Sequence, residues 1–269
     1  MLTLSKGRYA ARFAETLDDL RAAQALRWKA FVGARGLAGE AGAPGAEPLR
    51  PAAPPPAGSP ALDADDFDGL CRHILVEDTT TGRLVCCFRL MPLTSGAEIE
   101  RSYSAQYYNL SALTAFPGRM VEMGRFCIDP EIRDPDILRV AWGAMTRFVD
   151  AERVEMLFGC SSFLSTDFES FTDAFAVLAE RHLAPRRWWP RVKAPKVIRY
   201  ARKLLGRKGD PKLAMLKMPP LLRTYLTMGG WVSDHAVVDD HLGTLHVFTG
   251  LEIGAIPPAR ARALRMVAG

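Results

Sequence analysis

The pattern of apolar and polar positions in the first third of the chain predicts a strand, a helix and a hairpin. Residues 8–14 alternate as a strand does, and residues 16–36 then carry apolar side chains at helical spacing. Within residues 73–93, two apolar stretches flank the sequence TTTGR, which predicts a hairpin that turns at Gly82.

The pattern in the rest of the chain predicts strands that alternate with helices. A nine-residue apolar stretch, 120–128, is expected to be a strand, and Asp134 followed by Pro135 is typical of a helix N-terminus. The later elements are predicted as strand 155–163, helix 167–183, strand 212–218, helix 219–229 and strand-like stretches 231–238 and 244–253. The hairpin requires antiparallel pairing and the helical crossovers favour parallel pairing, so the order predicts an α/β fold with a mixed sheet.

Composition adds limits on the class of protein. The 269 residues have an ordinary hydrophobic fraction of 48%, and no apolar stretch reaches the length that a membrane span needs. The N-terminal residues lack a signal-peptide core, so a cytoplasmic protein is expected. Residues 37–62 are rich in Pro, Ala and Gly, and we interpret them as a mobile insertion.

Cysteine and histidine give no sign of a metal site or of disulfides. The five cysteines include no CxxC pair, and most lie in apolar stretches, where cysteine is usually a small buried side chain. The five histidines are scattered without the spacing of metal ligands. We therefore expect no bound metal.

Positive charge is concentrated in one part of the chain. Residues 181–217 contain thirteen Lys or Arg and one acid, although the whole chain has a net charge of only +5. Trp188, Trp189 and Tyr200 lie among these cations. A polyanionic partner is expected: an anionic membrane surface or an acidic protein. Nucleic acid is not expected, because no recognition motif accompanies the basic residues.

The strand at 120–128 contains charges that a buried strand does not normally carry. Glu122 and Arg125 lie within it, with Gly124 between them. A buried charge costs several kcal/mol unless it is paired, and residues three apart in a regular strand point to opposite faces. A function for these residues, or a structural Glu–Arg pair, would each account for them.

Four motifs in order make the chain resemble a known superfamily. They are LRWKAF on the first helix, DADDFD before the hairpin, CFRLMP on its second strand and EMGRF on the central strand. Together they resemble the GNAT acyltransferases, and within them the acyl-homoserine-lactone synthases and the ornithine lipid biosynthesis acyltransferases. Residues 121–163 and the C-terminal PPLLRTYLTMGGWVSDHAVVDDHLGTLHVF are most similar to the second of these families.

The resemblance implies a single GNAT-like domain over residues 1–269, with a mixed central sheet flanked by helices and a splayed, bulged central strand. In that fold the bulge opens a gap for the pantetheine arm of the donor and exposes a backbone N–H. Gly124 is the residue expected at the bulge. One extra residue there would let Glu122 and Arg125 face the same side.

The resemblance also implies the reaction and its residues. A 3-hydroxyacyl chain would move from acyl carrier protein to the α-amine of L-ornithine, with Glu122 as general base and the backbone N–H groups at Gly124 and Arg125 stabilising the oxyanion. Cations and anions at separated points should bind the amino acid. The candidates are Arg27, Arg89 and Arg125 for its carboxylate, Asp65 and Asp68 for an amine, and Phe31 beside Arg27. Capping is the alternative role for Asp68, and a solvated helix face is the alternative position for Arg27.

The donor is expected to be acyl carrier protein rather than coenzyme A. Residues 132–139, IRDPDILR, place Arg133 where the superfamily binds a phosphate, but they lack its two glycines and add two aspartates. Arg133 could hold the single phosphodiester of 4′-phosphopantetheine, and no bound cofactor is expected. The alternatives are an acyl-homoserine-lactone synthase that uses S-adenosylmethionine, and an inactive membrane- or carrier-binding module.

The basic segment 184–211 is expected to contact either a membrane or the carrier protein. Interleaved Trp and Arg favour an anionic membrane surface, and the amphiphilic product would have to leave into a bilayer. An acidic carrier would fit the same charges. A peripheral position on the inner face of the membrane is therefore expected.

Overall fold

The computed structural model describes residues 3–33 and 61–269. Of the Pro/Ala-rich segment 37–62, all but Ala61 and Leu62 lies outside the described residues. Two compact units are formed by the described residues. Unit 1 draws on the described residues up to Met91, on Met123–Glu152 and on Ala261–Gly269, and unit 2 on Pro92–Glu122 and Arg153–Arg260.

Residues 3–33 and 61–269 form twelve strands and seven α-helices. The strands are β1 (Thr3–Lys6), β2 (Tyr9–Phe13), β3 (Arg72–Asp78), β4 (Arg83–Leu93), β5 (Tyr108–Asn109), β6 (Met120–Ile128), β7 (Met156–Phe163), β8 (Arg191–Val192), β9 (Val197–Ile198), β10 (Trp231–Val232), β11 (Ala236–Asp239) and β12 (Thr244–Glu252). The helices are α1 (Leu17–Trp28), α2 (Pro135–Glu152), α3 (Thr172–Arg181), α4 (Tyr200–Lys203), α5 (Pro211–Lys217), α6 (Pro220–Thr227) and α7 (Pro258–Ala268).

Unit 1 is built on an antiparallel series of strands. β1, β2, β3 and β4 pair in that order, and β6 is the next neighbour of β4. The predicted hairpin is confirmed: β3 and β4 are joined by a turn in which Gly82 has a φ of 70°, a backbone conformation that favours glycine. A small core of Ala23, Leu26, Leu75, Cys87 and Cys127 lies between α1 and the strands.

Unit 2 combines parallel and antiparallel pairs. The first residues of β6 pair in parallel with β7, and β7 pairs antiparallel with β12. β12 also pairs antiparallel with β10 and β11, and β11 with β9. Aromatic rings fill the core beside this sheet, including Phe163, Phe175 and Tyr200. The predicted mixed sheet is thereby confirmed.

The central strand β6 departs from regular geometry next to Gly124. β6 pairs with β7 over Met120, Val121 and Glu122. Arg125 then adopts a φ of 53°, which a non-glycine residue rarely does, whereas Gly124 keeps a negative or extended φ. The positive φ thus falls on Arg125, directly after Gly124, and the role of Gly124 in a bulge stays a prediction.

One predicted element has the wrong type. Residues 212–218 were expected to be a strand, but Pro211–Lys217 form helix α5. Asp210 caps this helix by accepting hydrogen bonds from the backbone N–H groups of Lys212 and Leu213, at 2.7 and 3.1 Å, and Pro211 stands at the first helical position. The same Asp-Pro signal correctly predicts the start of α2, where Asp134 accepts from the N–H of Asp136 at 2.9 Å.

Within residues 3–33 and 61–269, no helix combines the length and the apolar character needed to span a membrane.

Candidate active site

Glu122 is the buried charged residue of unit 2 that the sequence singles out. Its side chain lies at the end of the β6–β7 ladder, and the residue is 4% exposed. The carboxylate accepts hydrogen bonds from the backbone N–H groups of Tyr103 and Ser104, each at 2.7 Å, and from the Ser104 hydroxyl at 2.5 Å. Three donors from one loop therefore hold this carboxylate in a fixed position.

The loop that holds Glu122 brings further polar side chains to the same part of unit 2. The Ser104 hydroxyl lies 3.4 Å from the Cys160 thiol on β7, and the Tyr103 and Tyr107 hydroxyls are 3.2 Å apart. Burial, and then the charge of Glu122, raise the pKa of Tyr225 well above its ordinary value. Tyr225 on α6 is therefore a neutral phenol at physiological pH.

His246 on β12 adds a neutral imidazole to this region. Its ring packs edge-on against Tyr107, with ring centroids 5.0 Å apart, and the Tyr108 hydroxyl donates to its backbone carbonyl at 2.8 Å. Burial lowers the pKa of His246 to about 4, so the ring is uncharged at neutral pH.

In unit 1, six charged residues form an arginine–aspartate cluster. Its members come from α1, the turn before β3, β4 and β6: Arg27, Asp63, Asp65, Asp68, Arg89 and Arg125. The three cations and three carboxylates balance in charge, which is the condition under which such groups can be buried together.

Asp68 is the buried centre of the arginine–aspartate cluster. It binds both terminal nitrogens of Arg27 at 2.7 Å, Nη1 of Arg89 at 2.9 Å and the amide of Gln24 at 2.9 Å. Burial would raise the pKa of Asp68, but the hydrogen bonds from Arg27 and Gln24 outweigh it and hold the pKa well below its usual range. Asp68 also accepts from the backbone N–H of Asp65, so the capping role that was its alternative is present as well.

Asp65 is the more exposed carboxylate of the cluster. It binds both terminal nitrogens of Arg89, at 2.5 and 2.9 Å, and Nη2 of Arg125 at 3.1 Å. Its side chain is 24% exposed, compared with 5% for Asp68. Burial works to raise the pKa of Asp65, and Arg89 outweighs it, so the pKa is lowered.

These contacts correct the predicted arrangement of substrate-binding residues. Arg27, Arg89 and Arg125 were expected to lie apart from Asp65 and Asp68, but the structure joins them in ion pairs. Arg27 is 1% exposed, so its alternative position on a solvated helix face is also wrong. Phe31 lies in a π-helical turn after α1 and packs against the small core of unit 1.

Gly124 and Arg133 occupy less constrained positions. A Cβ atom placed on Gly124 would lie 3.6 Å from Nε of Arg89, an ordinary contact, so packing does not require glycine there. Arg133 is exposed just before α2, next to Asp134, which caps that helix and also accepts from the Tyr9 hydroxyl at 2.8 Å.

Sequence reasoning missed Ser104 and Asp63, which hold the predicted residues in place. Ser104 lies in the loop SYSAQYYNL, which precedes β6, and Asp63 opens the DADDFD motif. That motif was the available signal for Asp63. The contact between Ser104 and Glu122 spans 18 residues and follows from no local pattern.

The chain is similar in sequence to acyltransferases. An acetyltransferase (GNAT) domain model matches residues 51–143. The chain is 32% identical over 254 residues to an L-ornithine N(alpha)-acyltransferase of Rhodobacter capsulatus, covering 92% of this chain and 91% of that protein. It is 29% identical to the protein of the same name from Rhizobium meliloti, covering 91% and 80%. An acyl-homoserine-lactone synthase of Agrobacterium fabrum matches over 82 residues at 33% identity, covering 29% of this chain and 38% of that protein.

Proposed function

This chain belongs to the L-ornithine N(alpha)-acyltransferase family of GNAT-domain proteins, and we propose that it acylates the α-amine of L-ornithine. The acyl group is a 3-hydroxyacyl chain delivered by acyl carrier protein, and the product is a lyso-ornithine lipid, the first intermediate of ornithine lipid biosynthesis. The observation that carries the proposal is the match to the Rhodobacter capsulatus protein over about nine-tenths of both chains.

Glu122 is proposed as the general base. The α-amine nitrogen attacks the thioester carbonyl carbon, a C–N bond forms, and the C–S bond breaks to release the thiolate. Glu122 takes a proton from the nitrogen, directly or through a water, and the thiolate takes up a proton in turn. The three hydrogen bonds from Tyr103 and Ser104 support this role, because a base must be held at a fixed distance from the atom it deprotonates.

The backbone of β6 after Glu122 is proposed to stabilise the oxyanion. N–H groups that do not serve a strand ladder are available for this purpose. On one side of β6 the pairing with β7 ends at Glu122, while the strand keeps β4 as its neighbour on the other side, and the positive φ of Arg125 interrupts regular strand geometry. Both observations support a role for the N–H groups of Gly124 and Arg125.

Arg125 and Asp65 are the members of the arginine–aspartate cluster best suited to bind ornithine. The Arg125 side chain is 12% exposed, against 4% for Arg89, and its ion pairs of 3.1 and 3.2 Å are the longest in the cluster. We propose that Arg125 binds the carboxylate and Asp65 an amine of ornithine. Arg27, Arg89 and Asp68 then position these two residues through the ion pairs of the cluster, and Phe31, on the turn after α1, is proposed to line the site beside Arg27.

The donor is proposed to be acyl carrier protein, with no cofactor resident on the enzyme. Arg133 is exposed and stands beside a helix N-terminus, a position suited to one phosphate of the 4′-phosphopantetheine arm. Because the product is an amphiphile, the enzyme is proposed to work in the cytoplasm at the inner face of the membrane, as a peripheral protein.

The proposal is tested with purified protein and 3-hydroxyacyl carrier protein, offered L-ornithine, L-lysine, S-adenosylmethionine or no acceptor. We expect an Nα-3-hydroxyacyl ornithine by mass spectrometry, and a much slower reaction when the same acyl group is supplied on coenzyme A. Product with S-adenosylmethionine alone would instead establish the lactone synthase, which the 82-residue match favours as the second candidate. Absence of product with every acceptor would indicate a binding module.

A further inference from the structure

The outer surface around helix α5 exposes several large apolar side chains. Leu205 is 86% exposed, Leu216 is 75% exposed, and Leu213 and Met215 are each 49% exposed. All four lie within twelve residues of unit 2, in the turn after α4 and on α5. We call residues 202–217 the α5 surface.

The packing of α5 fixes these side chains outward. Ala214 and Met218 are buried, and Met218 belongs to the core of unit 2. At 100° per residue, Leu216 and Lys212 then point away from Ala214, and Leu213 and Met215 lie on the two flanks of the helix. With Ala214 facing the core, Leu216 points to solvent and the two flanking side chains are each 49% exposed.

The turn that precedes α5 is held closely against α3. A Cβ atom on Gly209 would lie 2.5 Å from the carbonyl oxygen of Asp173, so the chain approaches α3 more closely than other residues allow. The N–H of Asp210 also donates to the Asp173 carboxylate at 3.0 Å. The α5 surface is thus anchored to the core of unit 2 at its middle.

Cations surround the exposed leucines. The α5 surface contains six Lys or Arg and one acid, Asp210, whose carboxylate is engaged in capping α5. Lys203 is paired with Glu169 at 3.0 Å. The other five cations are exposed: Arg202, Arg207, Lys208, Lys212 and Lys217.

We propose that the α5 surface inserts into the headgroup region of an anionic bilayer. In such a bilayer the exposed leucines would lie in the hydrocarbon next to the headgroups, and the cations around them would contact the negatively charged headgroups. An acidic carrier protein or a nucleic acid would account for the cations but not for the leucines. A second copy of the chain would bring like charges together.

This assignment moves the membrane contact away from Trp188, one of the aromatic residues that the sequence suggested. Trp188 is half-buried and packs edge-on against Phe116, with ring centroids 5.3 Å apart. The neighbouring Arg187 is paired with Glu252 at 2.9 Å. Trp188 is therefore accounted for by packing within unit 2, and the leucines of the α5 surface become the anchors. The inference extends the proposed peripheral location and does not depend on the acyl-transfer chemistry.

The test is flotation of the full-length protein with phosphatidylcholine vesicles that contain about 30% phosphatidylglycerol, and with pure phosphatidylcholine vesicles. We expect binding to the anionic vesicles alone. Leu213→Gln with Leu216→Gln should weaken that binding at least about tenfold, because two apolar anchors are lost. Lys208→Gln with Lys212→Gln should weaken it by about fivefold per charge. Glutamine is chosen because it favours helix.

The matched control replaces exposed apolar residues elsewhere, Leu17→Gln with Met266→Gln, and should bind as the wild type does. The inference is overturned if the wild type does not float, or if the control and the Leu213/Leu216 variant bind equally. It is also overturned if light scattering shows that the wild type is a dimer and the Leu213/Leu216 variant a monomer, while neither protein binds vesicles. The ornithine assay, run without vesicles, reports the proposed function separately.

Discussion

At the scale of single residues, Glu122 raises the question of why a strand contains a buried carboxylate. The answer within unit 2 is that Tyr103 and Ser104 supply three donors to it. Such an arrangement would stabilise the fold even without chemistry, so a variant must separate the two roles. The separation is possible because catalysis needs the basic oxygen, whereas the loop needs only an acceptor of the right shape.

Glu122→Gln is expected to lower the acyl-transfer rate by about 100-fold or more, the usual contribution of a general base. The glutamine oxygen can still accept hydrogen bonds from the loop. Its NH₂ group, however, replaces an oxygen that accepts from a loop N–H, so that N–H loses its acceptor. We therefore expect a loss of about 1–3 kcal/mol in the free energy of unfolding. Single-turnover kinetics and a urea titration measure the two effects. Ser104→Ala serves as the control, because it removes one hydrogen bond and leaves the carboxylate. A folded Glu122→Gln variant with full activity would assign Glu122 a structural role.

Asp68 provides a prediction about stability and pH. Asp68→Asn leaves Arg27 without its bidentate partner in a buried position, so the loss in unfolding free energy at pH 7 should be about 3 kcal/mol. Because the folded-state pKa of Asp68 is lowered, its stabilisation is fully present above the ordinary value of about 3.9 and is lost as pH falls through the folded pKa. The difference in stability between the wild type and the variant should therefore begin to shrink below about pH 4 and continue to shrink as the pH falls further.

The control for that series is Asp66→Asn, in the same turn, where the side chain is exposed. We expect a change of less than about 0.5 kcal/mol. Equal losses for both variants, or a difference that does not shrink in acid, would show that Asp68 is not the centre of the cluster.

The residue scale also shows what a sequence can reveal about this site. Glu122, Arg125 and Asp68 attract attention because their charges lie in or beside apolar elements. Their partners are distant in sequence. Arg27 pairs with Asp68 at a separation of 41 residues, and Arg89 pairs with Asp65 at a separation of 24 residues. Residue types were therefore predictable, but the pairing of cations with anions was not, since tertiary packing alone decides it.

At the scale of elements, boundary signals decided which predictions were correct. β6 was predicted with its observed bounds because Asp129 and Pro130 end it, and the Asp134–Pro135 signal placed α2. The same signal is present at Asp210 and Pro211, but the prediction of a strand over residues 212–218 rested on their apolar character alone, and the structure forms α5 there. A short apolar stretch fits either type of element, so its capping residue carries more information than its hydrophobicity.

Gly124 provides a prediction about strand β6. Packing does not exclude a methyl group at this position, since its Cβ would make only an ordinary contact with Arg89. Gly124→Ala should therefore leave the unfolding free energy within about 1 kcal/mol of the wild type. If the backbone at Gly124 approaches the thioester, as proposed, kcat should fall by about tenfold or more.

Gly250→Ala on β12 is the comparison for this variant. Its Cβ would lie 2.4 Å from the Trp231 ring, so we expect a loss of at least about 2 kcal/mol. Thermal unfolding by circular dichroism and steady-state kinetics measure both variants. Full activity of a stable Gly124→Ala variant would remove the backbone of Gly124 from the proposed chemistry.

At the scale of the whole molecule, the uneven charge is the dominant feature of the sequence. Thirteen of its 35 Lys and Arg residues lie in residues 181–217, and the rest of the chain is net acidic. The structure divides the basic residues by their surroundings: those of the α5 surface accompany exposed leucines, whereas Arg186 and Arg191 are exposed near the packed Trp188. One basic segment could therefore serve two partners through different residues.

We expect Arg186 and Arg191 to contribute to docking of the acidic carrier protein. Arg186→Gln with Arg191→Gln should raise the Michaelis constant for 3-hydroxyacyl carrier protein several-fold and leave kcat unchanged. The reason is that charges at the edge of an interface mainly change the rate at which the two proteins associate. Added salt should raise that constant for the wild type and should affect the variant less, since screening mimics the loss of charge. Lys208→Gln with Lys212→Gln, on the α5 surface, is the control and should leave the constant as it is in the wild type. A constant that does not respond to salt, or one that rises equally in both variants, would place carrier docking elsewhere on the protein.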